Sequence, residues 1–166
     1  MRIVSIFGYS TSGKTTTVEC LIRELINRGY TVGTVKDIHY EQFAIDTDGS
    51  NTDRHSKAGA EPVTARGFFE TDILFKKRMS IPDILKIYTQ DFVILEGVTD
   101  FEAPKILCAS SLQDIEKRMA PDVIAISGVI ANELKEYGRL PVINGMKQVE
   151  KLANLVERDA LIWENK

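Results

Sequence analysis

Residues 2–7, RIVSIF, form a nearly unbroken apolar run, which predicts a short buried strand. After a gap rich in Gly, Ser and Thr, Val18, Leu21, Ile22, Leu25 and Ile26 recur at i, i+3, i+4, i+7 and i+8. That stripe predicts one apolar face of a helix from Lys14 to Arg28, stopped by Gly29. The segment YTVGTVK (30–36) is rich in β-branched residues and reads as a second strand. Strand, helix and strand in such a short span make a βαβ unit, with a right-handed crossover and parallel strands.

Further along, DFVILEG (91–97) is an uninterrupted apolar run ending in an acid, the profile of a central parallel strand. KILCAS (105–110) and DVIAISG (122–128) predict two more strands, with Leu112, Ile115 and Met119 marking a helix between them. LPVING (140–145) reads as a short strand, and Val149, Leu152, Ala153 and Val156 as the apolar face of a last helix. Residues 37–61 are polar, with a helix expected over about 50–58. EPVTARG and TDILFKK predict two strands about a turn at Gly67, and SIPDILKIYT (80–89) a helix with Ser80 as N-cap and Pro82 in its first turn. No linker, repeat or low-complexity stretch interrupts the chain, so residues 1–166 are expected to form a single α/β domain.

Composition narrows the partners. The 166 residues are 43% hydrophobic and 27% charged, with a net charge of −3, which argues against a general nucleic-acid binder. Cys20 and Cys108 lie far apart, without metal-ligand spacing, and read as small core residues. No apolar run has the roughly 20 residues of a membrane span. The chain enters its first strand at once, leaving no room for a signal peptide, so a cytoplasmic protein is expected.

The gap behind the first strand carries the chemistry. Gly8-Tyr9-Ser10-Thr11-Ser12-Gly13-Lys14-Thr15 fits G-x-x-x-x-G-K-[ST] at every position, between a predicted strand and an amphipathic helix. Glycines let the backbone wrap until successive N–H groups point at one phosphate, and the helix N-terminus adds partial positive charge. Gly8, Ser10, Thr11, Ser12, Gly13, Lys14, Thr15 and Thr16 are therefore the expected nucleotide-binding residues. Lys14 would place an ammonium on the β- and γ-phosphates, and Thr15 would hold Mg²⁺ through its hydroxyl. Glu96, at the end of the run FVIL, is the best candidate for the metal's carboxylate, and Asp37 could reach the same ion. The fold that accommodates this loop is a three-layer P-loop NTPase fold with a mainly parallel central sheet.

A base-reading Asn-Lys-x-Asp is missing, so GTP and ATP are not separated by motif. Asn144 is either a base contact or, as Asn-Gly often is, a turn residue. The stretch 43–61 is more informative: Asp46, Asp48, Asp53, Arg54, His55 and Lys57 crowd together immediately after the second strand. A solvated helix would explain the charges, whereas Arg54 and Lys57 at i and i+3 would together suit an anion.

The segments GYSTSGKTT, VKDIHYEQFAID, DGSNTDRHSKAGA and FVILEGVTDFEAPKI resemble, in order over about residues 2–107, the molybdopterin-guanine dinucleotide biosynthesis protein B (MobB) family. The Arg-His-x-x-Ala-Gly-Ala block is the most specific part. Asp37 and Tyr40 stand where that family usually has His, Asn51-Thr52 replaces Asp-Ser, and Val98-Thr99 replaces an aromatic-Lys pair. The resemblance implies a homodimeric protein that binds GTP with Mg²⁺, hydrolyses it slowly and assists the molybdopterin guanylyltransferase. It retains Asp46, Arg54, His55 and Glu96, and with Lys57 the first three would face a phosphate-bearing pterin such as molybdopterin, or the partner enzyme. The alternative is a P-loop small-molecule kinase, for which the run KKR (76–78) is the best basic lid.

Overall fold

A computed structural model describes residues 1–164. In chain order the elements are β1 (Arg2–Gly8), α1 (Lys14–Asn27), β2 (Val32–Lys36), α2 (Asn51–Lys57), β3 (Val63–Arg66), β4 (Thr71–Leu74), α3 (Ile81–Leu85) and β5 (Phe92–Glu96). There follow β6 (Lys105–Cys108), α4 (Leu112–Arg118), β7 (Val123–Ser127), a 3-10 turn (Val129–Asn132), β8 (Glu136–Tyr137), β9 (Leu140–Pro141), α5 (Val149–Asp159) and β10 (Leu161–Ile162). They group into two compact units, one of Met1–Asp37 with the chain from Tyr88 onward, the other Ile38–Ile87.

The first unit is an α/β sandwich of P-loop NTPase type. Its sheet runs β2-β5-β1-β6-β7 with every one of these neighbours parallel, and β10 adds an antiparallel pairing to β1 at Arg2 and Ile3. Ile6 of β1 lies opposite Glu96 on one side and Ile106 on the other, so the ends of three strands open at one edge. The strands are apolar at consecutive positions because both sheet faces are covered. Val4, Ile6, Ile94 and Ile106 pack with Leu21 and Leu25 of α1 and Leu152 and Val156 of α5. Phe7, Leu107 and Ile126 face the other way, onto Ile115 of α4 and Ile130 of the 3-10 turn.

The helix α1 buries Val18, Leu21 and Leu25, and Ile22 packs against the same core. Ile26, on the expected stripe, is instead 53% exposed. The stripe has drifted off the sheet by its last turn, where Arg28 ties α1 to α5 through Glu24 and Glu157, both at 2.8 Å. In α4 only Ile115 is buried, while Leu112 and Met119 at its two ends lie exposed. The stretch 140–145 is a strand only at Leu140–Pro141, paired antiparallel with β8; beyond it Val142 forms a single parallel bridge to Ile126. Of the helix expected over 80–89, only Ile81–Leu85 is helical. Downstream, Tyr88 lays its ring where a Cβ on Gly33 would sit and donates its hydroxyl to the Thr34 carbonyl at 2.6 Å, which commits the chain to the edge of β2.

In the second unit β3 and β4 form the expected antiparallel hairpin, with Val63 opposite Leu74. Ser50 caps α2 by accepting the Asp53 N–H, and Ser80 caps α3 by accepting the Asp83 N–H.

The contrast along α1 is measurable. Leu21→Ala, which empties a fully buried position, is expected to cost about 2–5 kcal/mol in urea unfolding, whereas Ile26→Ala costs under about 1 kcal/mol.

Candidate phosphate-binding site

The loop between β1 and α1 is shaped by glycines. At Gly8 (φ +149°) a Cβ would stand 2.0 Å from the Cys108 carbonyl oxygen at the end of β6. Gly13 (φ +88°) is the N-cap of α1, with no side-chain cap, so the helix's first N–H groups stay directed at the loop. From behind, Gly128 (φ +87°) comes so close that its Cβ would lie 2.1 Å from the Ser12 carbonyl, which accepts the Val129 N–H at 3.1 Å. Between these contacts Thr11 is held at φ +63°, a conformation that disfavours a β-branched residue. The Ser12 side chain is buried, and its Oγ has no hydrogen-bond partner.

Lys14 leads into α1 and donates from Nζ to the Tyr9 carbonyl at 2.6 Å. Burial holds its pKa below the ordinary lysine value; the Lys36 and Arg118 cations act in the same direction, against the Glu96 carboxylate. An anion in the loop would relieve that penalty.

The expected metal residues meet at the strand ends. Thr15 donates its hydroxyl to Glu96 Oε1 at 3.0 Å, and Glu96 is almost wholly buried at the end of β5. Asp37 follows β2 directly and donates its N–H to the Glu96 carbonyl at 2.9 Å, which places it beside Glu96 in the chain trace. A hydroxyl and a buried carboxylate in contact are hard oxygen donors that fit Mg²⁺, an ion that takes few protein ligands and completes its shell with phosphate and water. Among the described residues no group of three or more His, Cys, Asp or Glu could hold a metal by itself. Unforeseen in the sequence, Lys36 pairs with Glu96 Oε1 at 2.6 Å. Thr16 is exposed in the first turn of α1.

Two further groups border the loop. Arg118, in the last turn of α4, lies over the Tyr9 ring with its Cζ 4.2 Å from the centroid. Asn144 turns out to serve the chain's own turn: its Oδ1 accepts the Met146 and Lys147 N–H groups, both at 3.0 Å, and its Nδ2 donates to Asn132. Cys108 is buried, its thiol pushed up to about 12 chiefly by desolvation, in keeping with a core residue.

The charged segment lies in the second unit and is largely self-neutralised. Lys57 is held by Asp48 at 2.5 Å and Asp53 at 2.6 Å, so it is not presented together with Arg54. Asp46 accepts from the Ser50 and Thr52 hydroxyls and the Thr47 N–H, with Lys76 at 3.6 Å. Hydrogen bonds from Ser50 first, then from Thr52 and Thr47, hold the Asp46 carboxyl below the usual range; Lys57 and the Gly49 N–H do the same for Asp53. Arg54 and His55 are exposed on α2.

Residues 3–129 match the family model described as molybdopterin guanine dinucleotide synthesis protein B. The chain is 27% identical over 146 residues to a probable molybdopterin-guanine dinucleotide biosynthesis adapter protein of Bacillus subtilis, covering 86% of this chain and 84% of that one. It is 33% identical over 110 residues to a molybdopterin-guanine dinucleotide biosynthesis adapter protein of Haemophilus influenzae, covering 63% and 61%. The crystal structure of Bacillus subtilis MobB superposes with a TM-score of 0.77 at 23% identity, over 97% of this chain and 99% of that one, and shares the fold.

Gly128→Ala adds a Cβ against the Ser12 carbonyl and forces a disfavoured φ, so it is expected to lower stability by about 2–4 kcal/mol in urea unfolding. In the second unit, the depressed carboxyl pKa values mean that stability is fully present above the unfolded value of 3.8 and is lost as pH falls through the folded values. From about pH 5 to about pH 2, Asp46→Asn is therefore expected to lose less stability than the wild type, followed by circular dichroism in a graded denaturant.

Proposed function

The chain belongs to the molybdopterin guanine dinucleotide synthesis protein B family, and on that premise we propose that it binds GTP with Mg²⁺, hydrolyses it slowly and serves as an adapter to the guanylyltransferase that joins GMP to molybdopterin. The observation that carries this reading is the contact between Thr15 and Glu96 at the mouth of a complete phosphate loop. The adapter names of the relatives support the pathway.

Each residue has a physical task. The backbone N–H groups of residues 10–16 and the uncapped start of α1 attract the phosphate oxygens. Lys14, desolvated beside the loop, turns its ammonium from the Tyr9 carbonyl to the β- and γ-phosphates. Thr15 and Glu96, with Asp37 beside them, would hold the Mg²⁺, which would neutralise charge on the phosphate oxygens. Lys36, paired with Glu96, would limit the net charge of the site. On the second unit, Arg54 and His55 offer an exposed donor pair to a phosphate-bearing pterin or to the transferase. Asp46 and Lys57 keep the chain around α2 in shape. The protein is proposed to act as a homodimer in the cytoplasm.

Calorimetric titration with Mg-GTP and Mg-ATP, alone and with the molybdopterin guanylyltransferase, tests the proposal. GTP is expected to bind and turn over slowly while the transferase is stimulated. Lys14→Ala is expected to weaken GTP binding by roughly 100-fold or more, with an unchanged melting curve. Nucleotide affinity that survives this substitution would sink the assignment of the loop. Rapid, acceptor-dependent formation of ADP would instead identify a small-molecule kinase.

A further inference from the structure

We propose that Arg118 is a phosphate-binding residue, its guanidinium resting on the Tyr9 ring and moving onto the polyphosphate chain when nucleotide enters. The inference rests on the nucleotide reading above and adds to it a cation that the loop motif does not contain.

Placement comes first. Gly8 pairs with Cys108, so the chain leaving β6 rises beside the phosphate loop. Ser111 then caps α4, and the helix carries Arg118 back over Tyr9, the residue that follows Gly8. The Tyr9 carbonyl is also the acceptor for Lys14 Nζ, so the two cations share one loop residue between them. Proximity is also felt electrostatically: the charge on Arg118 lowers the proton affinity of Lys14.

The missing counter-ion is the second observation. Several arginines and lysines of this unit are paired with carboxylates: Arg28 with Glu24 and Glu157, Lys36 with Glu96, and Arg158 with Asp159. Among the described residues Arg118 has no carboxylate partner and rests on an aromatic face. Asp114, four residues before it on the same helix, accepts the Ser110 N–H instead. A cation–π contact at a half-exposed site is weaker than a forked bond to phosphate, so a polyanion in the loop would draw the guanidinium away. A guanidinium that merely favours the C-terminal end of α4 would contribute to stability and leave ligand affinity alone.

Two ligands and two variants separate these roles in the full chain. Wild type, Arg118→Gln and Arg118→Lys are titrated with Mg-GTP and with Mg-tripolyphosphate, which has the phosphates but no base. Arg118→Gln is expected to weaken both ligands by a similar factor, roughly 10–100-fold, with the ligand-free melting temperature unchanged. Arg118→Lys, which keeps the charge but not the fork, should recover part of the loss. Undiminished affinity of Arg118→Gln for both ligands overturns the proposal, and so does a loss confined to GTP, which would mean that Arg118 stacks on the base. A wild type that binds neither ligand removes the nucleotide reading itself, and this inference with it.

Discussion

Everything at the mouth of the sheet depends on two close approaches of backbone to backbone. The end of β6 presses its Cys108 carbonyl into the space a side chain on Gly8 would need, and the turn after β7 does the same between Gly128 and the Ser12 carbonyl. Only glycine tolerates both the contact and the positive φ. The hydrogen bond from Val129 to Ser12 then locks the loop to the third strand end. The loop is thus fastened by three strands of a buried parallel sheet, and that is what can hold Thr11 in an unfavourable conformation.

That fastening sets the electrostatics. Glu96 is buried because β5 is an inner strand, flanked by β2 and β1, and burial makes a partner necessary. Thr15 and Lys36 supply it from the two neighbouring chain segments. Lys36 pairs with Glu96, and Lys14 lies within the fields of Lys36 and Arg118, so three cations gather at the mouth of the sheet in a chain whose net charge is −3. A small polyanion is the ligand such a site attracts.

The second unit obeys a different economy of charge. Its crowd of acids and bases looks in sequence like a docking face, yet Asp48, Asp53 and Lys57 satisfy one another, and Asp46 is taken by the hydroxyls of Ser50 and Thr52. What is left for an external partner is Arg54 and His55. Asp48 and Lys57, nine residues apart, meet because the turn at Gly49 and the Ser50 cap fold the chain back onto α2.

The apolar runs of 2–7, 92–96 and 105–108 and the loop Gly8–Thr15 were legible from residue order alone, because strand, glycine turn and helix N-terminus are local devices with local signals. The hairpin about Gly67 and the cap Ser80 were legible for the same reason. The fate of Ile26 was not, since a helical stripe gives periodicity but not the width of the surface that covers it. Nor were Lys36 on Glu96, Lys57 between two aspartates, or Arg118 over Tyr9. Arg118 is far from Tyr9 along the chain, and no spacing rule links them. Sequence determined the phosphate loop and the parallel strands that carry it. Which charges meet around that loop was decided only by tertiary structure, because ion pairing depends on distance in space and the parallel order β2-β5-β1-β6-β7 brings distant segments to one edge.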